Sequence, residues 1–260
     1  MGVAGAAIAT VIGQIVGGII SVYFNVSKNH EIKFEIKGFR PDMETIGNIY
    51  KVGLPSIIMQ SIGSIMTYGM NQILIAFSST ATAVFGVYFK LQSFFFMPLF
   101  GLNNGMVPII AFNFGAGKRS RMLKTLKLSY LYAFVLLFLA FIVFETMPAT
   151  LLGLFEASED MILMGVPALR IIGVHFLIAW FCIISGSLFQ ALGNGVYSLV
   201  VSVARQLFVL LPAAYILSKI GGLSAVWWSF PIAELASLTF SAIFLFSINR
   251  KIIRNVADNV

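Results

Sequence analysis

Apolar residues fall along this chain in seven long blocks separated by polar or charged segments. The blocks lie near Gly2–Phe24, Leu54–Phe77, Ala81–Phe112, Leu126–Glu145, Met161–Leu188, Tyr197–Ser218 and Gly222–Ile248. About 20 apolar residues in helical form cross the hydrocarbon core of a bilayer. No water reaches that core, so only helices or closed barrels satisfy their backbones there. The blocks show no alternation of period two, so the pattern predicts an all-α, polytopic membrane bundle of about seven transmembrane helices. The third block is long and carries Pro98 and Pro108, which predict an interruption around Gly101–Gly105. An amphipathic approach helix is expected from about Asp42 into the second block.

Composition supports this reading. Of 260 residues, 59% are hydrophobic and 10% are charged, against roughly 25% charged in soluble domains. The net charge is +7, and the placement of the charges turns this excess into a topology signal and removes nucleic acid as a partner. Lys28, Lys33, Lys37, Arg40 and Lys51 lie on one side. So do Lys118, Arg119, Arg121, Lys124 and Lys127, and then Arg250, Lys251 and Arg254. The other side holds Lys219 and the acidic Glu145, Glu156, Glu159 and Asp160. Basic residues accumulate in the cytosol, so a multi-pass protein of the cell membrane with a cytoplasmic C-terminus is expected.

Cys182 is the single cysteine, which excludes a disulfide framework. The opening Met1–Gly5 has no secretory signature. No metal cluster, Walker loop, HExxH or GxSxG is present, so no enzyme is expected and no cofactor beyond a coupling ion. The run Phe114–Ser120 lacks P-loop spacing.

One internal repeat is visible. GVAGAAIATVIGQIVGGIIS, from Gly2, lies over GLSAVWWSFPIAELASLTFS, from Gly222, and matches Ile12 to Ile232, Gln14 to Glu234 and Ser21 to Ser241. The first span then corresponds to the last, as in repeat-built transporters, and five helices are expected upstream of it.

Polar residues inside the blocks are the candidates for chemistry. The second span carries Gly53, Ser56, Gln60, Ser64, Thr67 and Asn71 at helical spacing, a stripe that suits helix packing or a substrate-facing wall. One face of the third span holds Lys90, Phe94, Met97, Gly101, Asn104 and Pro108. Lys90 lies about 14 Å from the outer end of its helix and Glu234 about 18 Å from the end of its own. Their matched depth makes them a candidate ion pair or proton-sharing pair. Arg170, His175 and Arg205 also fall within spans. Arg205 lies toward the inner end of its helix, within reach of the interface, and His175 is either a hydrogen-bonded core residue or a relay. The excess of buried cations implies bound anions or carboxylates from another segment.

Gly53–Leu54–Pro55, the stretch GLNNGMVPIIAFNFGAG of Gly101–Gly117 and the GxxxxWWxFPIAE of Gly222–Glu234 resemble MATE (multidrug and toxic compound extrusion) transporters, most closely the bacterial multidrug subgroup. The likeness covers essentially the whole chain. It implies two six-helix lobes, with residues 1–25 as the last helix of the N-lobe and 26–53 as a cytoplasmic linker. Residues 54–250 would form the C-lobe and 251–260 a cytoplasmic tail. It also implies export of lipophilic cationic drugs by antiport with H+ or Na+, with the remaining N-lobe helices as partner.

The first-helix carboxylate central to coupling in many members has no counterpart here. The spans that match helices seven and ten have no internal Asp or Glu, which disfavours sodium binding in this lobe. The implied substrate cavity is touched by Gln60, Lys90, Met97, Asn104 and Glu234, with Asn71 beside them. The rival readings are a lipid-linked saccharide flippase of the same superfamily and a non-transporting membrane subunit.

Overall fold

The computed structural model describes residues 2–28 and 41–256. Residues 29–40 of the expected linker, including Lys33, Lys37 and Arg40, lie outside them, as do the last four residues of the tail and the side chain of Ser56. The chain divides into two compact units, residues 1–49 and 50–260.

The first unit contains α1 (Gly2–Lys28) and the first turns of α2 (Met43–Ile75). Asp42 starts α2 by accepting from the backbone N–H groups of Thr45 (3.0 Å) and Glu44 (3.3 Å), and its carboxylate also receives the Thr45 hydroxyl. The approach helix and the second span are therefore one continuous helix rather than two elements.

In the second unit α2 is followed by α3 (Ser79–Gly115), α4 (Arg119–Thr146), the short α5 (Pro148–Gly153), α6 (Glu159–Gly173) and α7 (Phe176–Ala191). Next come α8 (Gly195–Val203), a π-helical segment (Ala204–Leu210), α9 (Leu211–Ile220), the one-turn α10 (Gly222–Val226) and α11 (Ser229–Lys251). Local chemistry fixes the ends. The Ser78 and Ser158 hydroxyls accept from the N–H groups of Ala81 and Met161, filling orphan donors of the first turn. Gly117, Gly193 and Gly222 take positive φ at the helix-to-helix turns, where a Cβ would be strained.

Among the described residues, five helical spans are long and apolar enough to cross a membrane, and the bent pair α6–α7 makes a sixth. This count falls short of the expected seven because α2 does not qualify. Its polar residues, Gln60, Ser61, Ser64, Thr67 and Asn71 among them, dilute its hydropathy. One expectation fails: α3 runs unbroken through Pro98 and Pro108. Each proline removes one N–H donor, leaving the carbonyls of Phe94 and Asn104 without their usual partners. Both prolines lie on the exposed side of α3, where the helix can bow without disturbing the packed face.

The core is aromatic. Phe85, Tyr88, Phe144, Phe176, Phe189 and Trp227 are all fully buried. α3 packs on α4 and α7, α4 on α7, α7 on α11, and α11 on the π segment. A Tyr130–Ser185 hydroxyl contact of 2.7 Å ties α4 to α7. α2 approaches α9 closely because Gly69 faces Leu211: a Cβ there would come within 2.8 Å of Leu211 Cδ2. The outer faces stay apolar. Leu131, Val135, Leu139 and Ile142 of α4 are exposed, as suits contact with lipid rather than water.

Candidate functional site

Two departures from regular helix bring the polar residues together. At Val174–His175 the chain bends by 50° between α6 and α7. His175 closes the bend, its Nδ1 lying 2.5 Å from the Ile172 carbonyl and its ring 4.4 Å from that of Phe176. The second departure precedes Pro212. A proline has no N–H and its ring crowds the carbonyl four residues back, here Phe208, and the chain relieves this by widening to a π-helix over Ala204–Leu210. Such single π segments are frequent at functional sites.

Arg205 sits in the π segment and donates from Nη1 to Glu234 Oε2 of α11 at 3.1 Å. It is the one ion pair among the described residues. The Glu234 side chain is 2% exposed and that of Arg205 is 35% exposed, so the carboxylate lies behind the guanidinium. Tyr88 of α3, His175 at the bend and Cys182 of α7 lie within electrostatic reach of the pair.

Arg205, Glu234, Tyr88 and His175 border a cavity of about 810 Å³. Gln60, Ser64, Thr67 and Asn71 of the polar stripe line its α2 wall, and Tyr88, Gln92 and Ser93 line its α3 wall. Phe89, Phe96, Phe100 and Phe230 supply aromatic faces, while Arg205, Gln206 and Glu234 supply the far wall. Gln206 also donates to the Ser202 hydroxyl at 2.8 Å, which fixes its amide.

Of the residues singled out in the sequence, Gln60, Asn71, His175, Arg205 and Glu234 meet at this cavity. The expected Lys90–Glu234 pair does not form. A helical side chain leans toward its helix N-terminus, so Lys90 runs back along α3 and places Nζ 5.7 Å from the Phe155 ring centroid. It is exposed and reaches the helix end by snorkelling. Arg205 takes its place at Glu234. Met97 and Asn104 share the exposed face of α3 with Phe94 and lie outside the cavity; Met97 is 68% exposed. Arg170 is also exposed and donates to the Glu145 carbonyl at 3.1 Å, capping the last turn of α4.

A helical bundle with an apolar exterior, a bent helix, a π segment and an ion pair beside an interior cavity has the build of a membrane transporter's lobe. The match extends to the family. Residues 55–216 match the family MatE, and the chain belongs to it. It is 25% identical over 250 residues to the multidrug export protein MepA of Staphylococcus haemolyticus, covering 96% of this chain and 55% of that protein. It is 26% identical over 234 residues to MepA of Staphylococcus aureus, covering 90% and 51%. The chain thus spans about half the length of the curated relatives it matches. Among solved structures, an outward-facing multidrug resistance MATE family transporter of the MOP superfamily aligns at a TM-score of 0.84 with 22% identity. That alignment covers 96% of this chain and 58% of the other, and at that identity it speaks for the fold alone.

Proposed function

We propose that this chain supplies one lobe of a secondary transporter that exports lipophilic, cationic small molecules in exchange for protons, with Glu234 as the proton-binding group. The observation that carries this reading is the pairing of a buried carboxylate with a half-buried guanidinium at the wall of a drug-sized cavity.

With Glu234 ionised, the pair is neutral and the cavity offers aromatic faces and amide oxygens to a cation. A proton on Glu234 cancels the carboxylate and leaves the Arg205 charge uncompensated. At about 6 Å and an effective dielectric of 20, that charge repels a bound cation by about 3 kcal/mol. Proton and cargo then exclude one another, which is the sign that exchange requires. Glu234 has no second carboxylate beside it among the described residues, so the site suits a proton better than Na+, which takes several oxygen ligands.

The distribution of basic residues supports a cell-membrane protein with the Lys118 turn and the C-terminus in the cytosol, with helices of an N-lobe as the proposed partner. The multidrug-export relatives favour drug efflux over the lipid-linked saccharide flippase reading.

The test is drug efflux from proteoliposomes that hold this chain with its N-lobe partner, before and after Glu234→Gln. Efflux in the variant is expected to lose its response to an imposed pH gradient. Efflux that still follows the gradient as in the parent removes Glu234 from coupling.

A further inference from the structure

Both charged partners line the cavity, but the cation is far more exposed to a ligand than the anion. Arg205 is 35% exposed at the cavity wall, while Glu234 lies behind it at 2%. The contact between them is one-pronged, from Nη1 to Oε2, so the remaining guanidinium donors keep the planar fork that matches a carboxylate or sulfonate.

We propose that, when Glu234 is protonated, this cavity binds aromatic organic anions, with the anionic group on Arg205 and the ring system among Phe89, Phe96 and Phe230. The inference rests on the proton reading of Glu234 given above. Losing its internal partner frees the Arg205 guanidinium to take an external one. Among the described residues, Arg205 and Glu234 are the charged residues of the lining, so no other charged group there competes for the ligand. The titratable groups facing Glu234 are Tyr88 from α3, His175 from the α6–α7 bend, Cys182 from α7 and Arg205 from the π segment. None of them adds a negative charge in its usual neutral form. Amide donors of Gln60 and Asn71 line the opposite wall and complete the shell of an oxyanion. The volume of about 810 Å³ falls in the range of drug-sized pockets, about 300–1,000 Å³.

Organic anions bound there stabilise the protonated state, so they oppose cationic cargo and act as acid-dependent inhibitors of export. This requirement differs from cargo recognition and from transport itself.

The experiment is calorimetric titration of naphthalene-2-sulfonate into the 260-residue chain in nanodiscs of zwitterionic lipid, at about pH 5 and about pH 8. Binding to the parent is expected to be at least about tenfold tighter at the lower pH, the worth of a charge-assisted contact. Glu234→Gln should bind tightly at both values, Arg205→Gln at neither, and Arg205→Lys weakly. Should Arg205→Gln fail to fold, Glu234→Gln decides alone: affinity at pH 8 no higher than the parent's overturns the proposal. Sulfonate binding that survives Arg205→Gln in a folded protein overturns it as well. A second arm adds phosphatidylglycerol to the nanodisc. Displacement of the sulfonate assigns the site to a lipid head group, and no displacement assigns it to a soluble anion; either supports an anion site at Arg205. Drug–proton exchange is measured separately, so its absence alongside acid-enhanced sulfonate binding refutes the export reading and leaves the anion site standing.

Discussion

Removing either partner of the Arg205–Glu234 pair should destabilise the bundle, but by unequal amounts. Arg205→Gln strands a carboxylate that is 2% exposed. Breaking a buried pair this way costs about 3–5 kcal/mol, and the low end applies because one side of the pair opens to the cavity. Glu234→Gln strands a guanidinium that is 35% exposed and can turn toward cavity water, so the loss is that of one charge-assisted hydrogen bond, about 1.5 kcal/mol. At roughly 2–4 °C per kcal/mol for a protein of this size, Arg205→Gln should lower the unfolding temperature by about 6–12 °C and Glu234→Gln by about 3–6 °C. The double variant should lose less than the sum, since each change removes the same contact. Cys182, the single cysteine, is buried and reports unfolding through a thiol-reactive dye. Equal shifts for the two single variants, or a larger one for Glu234→Gln, would refute the view that the carboxylate is the stranded partner.

Other predictions follow from the packing. Gly69→Val should cost about 1–3 kcal/mol, because even a Cβ falls within 2.8 Å of Leu211 Cδ2; the same dye assay reads it. Tyr130→Phe should cost about 1 kcal/mol by leaving Ser185 without its partner, and adding Ser185→Ala should recover part of the loss. Lys90→Gln should leave the pH response of efflux unchanged, since Lys90 sits over Phe155 and not at Glu234. Thr45, through its side chain and then its backbone N–H, together with the Glu44 backbone N–H, holds the Asp42 carboxyl below its usual 3.8. A depressed acid stabilises its fold above the unfolded value and loses that effect as pH falls through the folded one. Amide protection at Glu44 and Thr45, followed by hydrogen exchange, should therefore hold down to pH 3.8 and fade below it, and Asp42→Ala should abolish it at every pH.

Much of the helical layout was legible because hydrocarbon thickness imposes one length on every crossing. The ends at Ser78, Ser158 and Gly117 follow from capping chemistry that the block pattern does not register. The reading of Pro98 and Pro108 failed because sequence gives a proline's position but not its neighbours, and on an open face a helix absorbs the missing donor. Lys90 and Arg205 were exchanged for a related reason. A count of residues gives depth at 1.5 Å each, but not the direction in which a long side chain leans. Two signals pointed to the actual pairing. Phe230, Ala233, Glu234, Ser237 and Ser241 repeat at three/four spacing in α11 and mark its buried face. Pro212, following Arg205 by seven positions, foretold a distortion of that helix. The π segment itself has no signature beyond that proline.

A π-helix over Ala204–Leu210 carries one more residue than the same length of α-helix needs. Each α-helical residue turns the chain by about 100°, so this surplus sets the rotational phase of everything after it, from Leu211 to Ile220. Shortening the chain by one residue here would let the segment close into ordinary helix with α8 and α9 still seated on their neighbours, at the cost of restoring the Pro212 clash that the π segment relieves. The same excision in α4 or α11 would swing every later side chain of that helix off its face. The stretch that aims Arg205 is thus also a place where the gene can lose a codon and keep the fold, at the expense of the arginine's aim.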